Sequence, residues 1–140
     1  MEKNKWWKRL YPIRVPSGWN MVLHKLEWIE AEELEKDDKV WLFHFVQDIL
    51  YMERTYERKV NKQVEKQVIS IDLGWYPDGV PEGAYILQAI LNHNWEEPLL
   101  EYKSRSTKEV VEQLEEWLYL YFSSGFLDEK IFRKNVSRET

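Results

Sequence analysis

The sequence predicts an α+β fold: an antiparallel β-sheet with a C-terminal amphipathic helix, about residues 107–122, packed on one face. Three observations predict it. Runs of strand formers occupy much of the chain before residue 104. Dense turn signals separate them. One strongly signalled helix comes late, and few helical patterns lie between the strands, which a parallel βαβ arrangement would need.

Residues 1–17 read as a basic arm. Trp6, Trp7, Leu10, Tyr11 and Ile13 are able to pin it, and Pro12 and Pro16 keep it extended. Ser17-Gly18 marks a turn. Residues 19–29 alternate imperfectly, with Trp19, Met21 and Leu23 on one face, as a strand does. Residues 30–38 carry charge and one leucine, which suits a short solvated helix or a loop. Residues 40–56 fit two patterns. Trp41, Phe45, Ile49, Met52 and Tyr56 form a helical stripe, but residues 40–46 are rich in strand formers, and Ile49, Tyr51 and Glu53 alternate. Strands over 40–46 and 49–56 are expected, with 57–66 as a polar hairpin tip.

The clearest strand is 67–76. Ile69, Ile71, Leu73 and Trp75 point one way; Val68, Ser70, Asp72 and Gly74 point the other. Residues 77–83 form a Pro/Gly turn region, and Ala84–Leu91 is the partner strand. A connection at 92–98 leads to a short last strand, 99–103. Ser106 and Glu109 then make a capping box, in which each side chain satisfies the other's backbone N–H. Val110, Leu114, Trp117, Leu118 and Tyr121 follow as one apolar stripe. Gly125 is placed as the stop, and 126–135 has room for one more short helix. The tail, 136–140, is polar.

The 140 residues fit one ordinary domain with a core of its own. There are no cysteines, which removes disulfides, thiol catalysis and Cys-type metal sites. The basic N-terminus lacks the apolar stretch of a signal peptide, and no apolar run approaches about 18 residues. A cytoplasmic protein, with no membrane association, is expected. The net charge of −5 disfavours a nucleic-acid binder, since phosphate contact needs a basic face. The charge is also uneven: residues 1–18 sum to +4 and residues 27–38 to −6. An acidic face suits a basic partner and speeds its association.

No catalytic constellation is present. Gly74, Gly79 and Gly83 have neither Walker nor Rossmann spacing. His24, His44 and His93 form no metal-binding spacing, so no metal and no cofactor is expected. No nucleophile elbow occurs. Asp72 and Asp78 are too ordinary as a pair to indicate acid–base work. The chain therefore reads as a binding protein and not an enzyme. Asp72 interrupts an apolar strand just before Trp75 and Tyr76; a water-facing sheet surface explains this, as does a binding face, because exposed aromatics beside charge anchor interfaces. The acidic run has the same two explanations. The candidate partner-binding residues are thus Glu30, Glu32, Glu33, Glu35, Asp37, Asp38, Asp72, Trp75, Tyr76 and Asp78.

The runs IDLGWYPDG (71–79), PEGAY (81–85) and WEEPL (95–99), the Ser104-Arg105-Ser106 step and the EVVEQLEEW helix (109–117) carry a resemblance. Over residues 68–118 the chain resembles small cytosolic immunity proteins of Gram-positive polymorphic (LXG-type) toxin systems. The resemblance implies an intracellular inhibitor that binds the C-terminal domain of a cognate toxin, often a nuclease. It supplies no catalytic residues and does not fix which residues touch the toxin. A small enzyme or ligand-binding domain with a pocket near the sheet, and a structural assembly module, are the alternatives. Oligomeric state is left open.

Overall fold

A computed structural model describes residues 9–127. Its centre is a five-stranded antiparallel meander in the order β1-β2-β3-β4-β5. The strands are β1 (Asn20–His24), β2 (Leu50–Val60), β3 (Gln63–Tyr76), β4 (Ala84–Leu91) and β5 (Leu100–Ser104). A short helix, α1 (Val40–Phe43), precedes β2, and the long helix α2 (Thr107–Leu120) follows β5. The expected α+β class and the late helix packed against the sheet are both present. The expected arm before residue 9, and the short helix and tail beyond 127, lie outside the described residues.

The period-2 pattern of β3 sets the two faces. Ile69, Ile71, Leu73 and Trp75 are buried with Leu50 and Met52 of β2 and Tyr85, Leu87 and Ala89 of β4. Against them α2 lays Val110, Val111, Leu114, Trp117 and Leu118. Leu26, Ala31, Trp41, Phe45 and Ile49 from the preceding connections complete the core. Each large side chain removed from water contributes about 2 kcal/mol, so this face drives folding.

The segment expected as a strand over 40–46 is a helical turn instead. The Asp38 side chain accepts the Val40 N–H at 2.9 Å and starts it. Trp41 and Phe45 enter the core with rings 4.5 Å apart. A strand would bury Phe43 on the same side; as built, Phe43 is 76% exposed. Aromatic residues favour strands only where a sheet surface receives them, and here the core receives them from one turn of helix. Beyond α1 the chain runs beside β3: Val46 O accepts from Trp75 N, and Ile49 N donates to Leu73 O.

The 57–66 segment is more regular than a loose tip. β2 and β3 stay paired to Val60↔Gln63, with Glu57 opposite Lys66 and Arg58 opposite Glu65. Asn61 and Lys62 turn the corner with φ of 51° and 68°. Two left-handed residues make the tight hairpin turn whose twist matches the strands. β1 is shorter than the expected 19–29, and its register shifts between Met21 and Leu23.

At the start of α2, Ser106 Oγ accepts the Glu109 N–H at 3.2 Å. The other half of the capping box is relayed: Ser106 N–H donates to Ser104 Oγ, which donates to the Glu109 carboxylate. The helix stops before Gly125, since Phe122 turns into the core. The Phe122 carbonyl accepts from Arg54 Nη1 and Tyr56 Oη, both at 3.0 Å, and from Trp19 Nε1 at 3.4 Å. It thereby ties the helix exit to β2 and the entry to β1.

Candidate acidic and aromatic binding surface

The ten residues expected to bind a partner divide into two groups beside the 77–83 turn. Glu30 is structural: its carboxylate accepts the N–H groups of Thr107 at 2.7 Å and Lys108 at 2.9 Å, closing the N-terminus of α2. Asp38 is likewise occupied in starting α1. Glu32, Glu33, Glu35 and Asp37 are exposed around a 3₁₀ turn at Ala31–Glu33. Glu32 pairs with Arg105 at 3.1 Å, and Arg105 also donates to the carbonyls of Pro81 and Gly83. Lys36 pairs with Glu82 at 3.5 Å. These contacts bring the acidic run against the turn that carries Asp78.

Trp75 lies on the opposite face from Asp72. It is 0% exposed; its Nε1 donates to Val80 O at 2.7 Å, and the Arg105 guanidinium sits 5.4 Å from its ring centre. In this fold its side chain holds the turn and cannot touch a partner. Tyr76 is 37% exposed and Asp78 is exposed.

Asp72 occupies the sheet face turned away from the core. Tyr51, Asp72, Gln88 and Glu101 stand opposite one another across β2, β3, β4 and β5. Gln88 Nε2 donates to Glu101 at 2.8 Å. The Tyr51 hydroxyl lies 3.2 Å from Glu53 and 2.9 Å from Ser70 Oγ, and its ring centre is 6.5 Å from that of Trp95. The Asp72 carboxylate has no hydrogen-bond or ion-pair partner among the described residues. Burial pushes its pKa up to about 6, and the negative charge of Asp48 adds to the rise. Tyr76 is also raised, by burial first and then by Asp72, Asp48 and Asp78.

Gly74 lets the 46–48 segment lie close against β3 beside this face. A Cβ at Gly74 would collide with the Gln47 carbonyl oxygen, so the 46–48 segment running beside β3 approaches it closely where a side chain is missing. Asp48, Tyr51, Glu53 and Trp95 were not among the expected residues. Alternation of Tyr51 and Glu53 was visible; their meeting with Asp72 depends on strand register.

The histidines build no site with Asp72. His24 donates from Nε2 to Tyr11 O at 3.0 Å and accepts the Leu26 N–H on Nδ1 at 3.3 Å. His93 is exposed in the turn after β4. His44 is buried on the core side, where burial lowers its pKa to about 4. Its Nε2 lies 3.1 Å from Tyr85 Oη, which lies 2.7 Å from Thr107 Oγ1, which donates to Ile29 O. That last donation leaves Thr107 as acceptor, so Tyr85 donates to it and His44 Nε2 donates to Tyr85. His44 Nδ1 is therefore bare, without a hydrogen bond and 3.9 Å from Glu27. A groove of about 460 Å³ between β5 and α2 is lined by Tyr102, Glu109, Glu112, Gln113 and Glu116. Its carboxylates are already engaged by Ser104, Lys108 and Gln113. Among the described residues no cluster of His, Asp and Glu has the form of a metal site, and no helix is long and apolar enough to cross a membrane.

No protein-family model, no curated protein and no solved structure matches the chain.

Proposed function

We propose that this chain is an immunity protein, which binds a cognate toxin domain in the cytoplasm and neutralises it by covering a basic functional surface. The observation that carries the reading is Asp72: a half-buried carboxylate without a partner, beside Tyr51 and Tyr76 on a sheet face that no helix covers among the described residues. Such a group costs stability where it stands, and a cation from a partner would offset that cost. The exposed carboxylates Glu32, Glu33, Glu35, Asp37 and Asp78 give the adjoining end of the molecule the same sign. A basic cleft, as a nuclease uses for phosphate, would be steered onto it. The resemblance over residues 68–118 supports a toxin domain as the partner.

The test is co-expression with the toxin C-terminal domain encoded beside this chain. Rescue of growth and a stoichiometric complex on a sizing column are the expected results. Continued killing with no complex would overturn the reading.

A further inference from the structure

We infer that the free edge of β5 takes up an extended basic segment of the protein partner as a sixth strand, whose lysines or arginines on one face reach the carboxylates of α2. This rests on the reading that the chain binds a basic protein, and it adds a surface distinct from the Asp72 face.

β5 is the last strand of the meander and pairs only with β4. Among the described residues no backbone hydrogen bond leaves Leu100–Ser104 on the side away from β4. The N–H and C=O groups on that side are a template for one more strand. Helix α2 leaves the edge accessible: a groove of about 460 Å³ runs beside it, between Tyr102 and Glu109, Glu112, Gln113 and Glu116. The pleat places Tyr102 and Ser104 on the α2 side, where Ser104 bonds Glu109, and Glu101 on the other, where it bonds Gln88. Every second side chain of an added strand would therefore enter the groove.

Charge decides what that strand carries. Glu109, Glu112 and Glu116 are exposed, and their contacts with Ser104, Lys108 and Gln113 engage one oxygen of each. Lys108 is the only cation paired with this row among the described residues, 3.9 Å from Glu112. A Lys or Arg side chain from the added strand would lay its stem over the Tyr102 ring and bring its head to the carboxylates. A second copy of this chain fits less well. Antiparallel pairing of β5 with itself around Tyr102 would match Glu101 with Lys103 of the other copy. It would also set both α2 helices on the same side of the joint sheet, with their glutamate rows turned towards each other. Like charges at that range oppose pairing. The edge is short and carries exposed Glu101 and Lys103, which discourages a purely apolar strand.

A displayed library of random twelve-residue peptides is panned over the immobilised protein at pH 7, and the strongest binder is synthesised. Lys or Arg at every second position is the expected pattern. Hydrogen exchange in the complex should slow at amides within residues 100–104. Methylating alternate peptide nitrogens, in two separate sets, should abolish binding for the set that faces β5 and spare it for the other. The double variant Glu112→Gln, Glu116→Gln should bind about tenfold more weakly. Both positions are exposed, so it keeps the wild-type melting temperature. Glu57→Gln, on the β2–β3 hairpin, should bind as the wild type does. Winners without alternating basic residues, unchanged exchange at 100–104, or indifference to both methylated sets or to the two glutamates would overturn the inference. So would a dimer of the protein alone that protects 100–104, since the occupant would then be a second copy. If basic strands add to β5 but the toxin is not neutralised, the edge stands and the immunity reading falls. If the toxin is neutralised in a complex that leaves the 100–104 amides unprotected, the edge falls and the immunity reading stands.

Discussion

Glu30 and Thr107 are joined across the fold: the carboxylate of one accepts the first free N–H of the helix that the other begins, at 2.7 Å. The same carboxylate takes the Lys108 N–H. The acidic run before α1 is thereby fastened to the N-terminus of α2, and one of its charges serves the fold. Glu30→Ala should destabilise the protein by about 1–2 kcal/mol, the usual cost of losing a helix cap, with part of the loss recovered by Glu30→Gln. Urea unfolding measures this. Glu33→Ala, at an exposed position nearby, should change stability by less than about 0.5 kcal/mol. Equal losses at both positions would refute the capping role.

Gly74 has no tolerance for a side chain. Gly74→Ala drives a methyl group into backbone, not into a movable side chain, so the 46–48 segment must lift from β3. A loss of about 3 kcal/mol or more is expected. Thermal unfolding and proteolysis near residues 46–48 would report it. An alanine variant with unchanged melting temperature would contradict the close approach.

His44 makes the fold acid-sensitive. Its pKa falls from the ordinary 6.5 to about 4 through burial. The stability linked to its neutral form is present above pH 6.5 and is lost as pH falls from 6.5 towards 4. The full loss is about 3 kcal/mol. Glu27, 3.9 Å from the bare Nδ1, limits it by receiving the new charge. His44→Phe should flatten this part of the urea midpoint against pH. A wild-type midpoint that is already flat, or that is unchanged in the variant, would contradict the assignment.

Asp72 works in the opposite direction. Its pKa is raised from 3.8 to about 6, so the native state holds the proton more tightly and this group favours folding as pH falls from 6 towards 4. At pH 7 the ionised form costs stability. Asp72→Asn should therefore raise stability at pH 7 by about 1 kcal/mol, after allowance for screening at a half-exposed group. It should also leave the fall caused by His44 steeper below pH 6. A destabilising Asp72→Asn would show that the carboxylate has a structural partner.

The parts of the fold that were legible in the sequence are those governed locally. Ser106, Glu109 and the Val110–Leu118 stripe mark α2 because capping and helical period act within a few residues. The alternation from Ile69 to Trp75 marks both faces of β3. What escaped was set by distant contacts. Trp41 and Phe45 look like strand residues until a core is there to receive one helical turn. Glu30 looks like a solvated charge until α2 arrives. Trp75 looks like an interface anchor beside Tyr76, yet the pleat sends it into the core. Asp72 stood out in the sequence as an acid in an apolar strand, and the neighbours that give it meaning, Asp48 and Tyr51, come from the close approach of the 46–48 segment at Gly74 and from the β2–β3 register.

The most direct measurement is the affinity of the purified protein for the toxin domain it is proposed to neutralise, taken by calorimetry for the wild type and for Asp72→Asn at pH 7. The account predicts tight binding by the wild type, binding at least about tenfold weaker for the variant, and a higher melting temperature for the variant alone. No measurable binding by a folded wild-type protein, or equal affinity for the two, would contradict it.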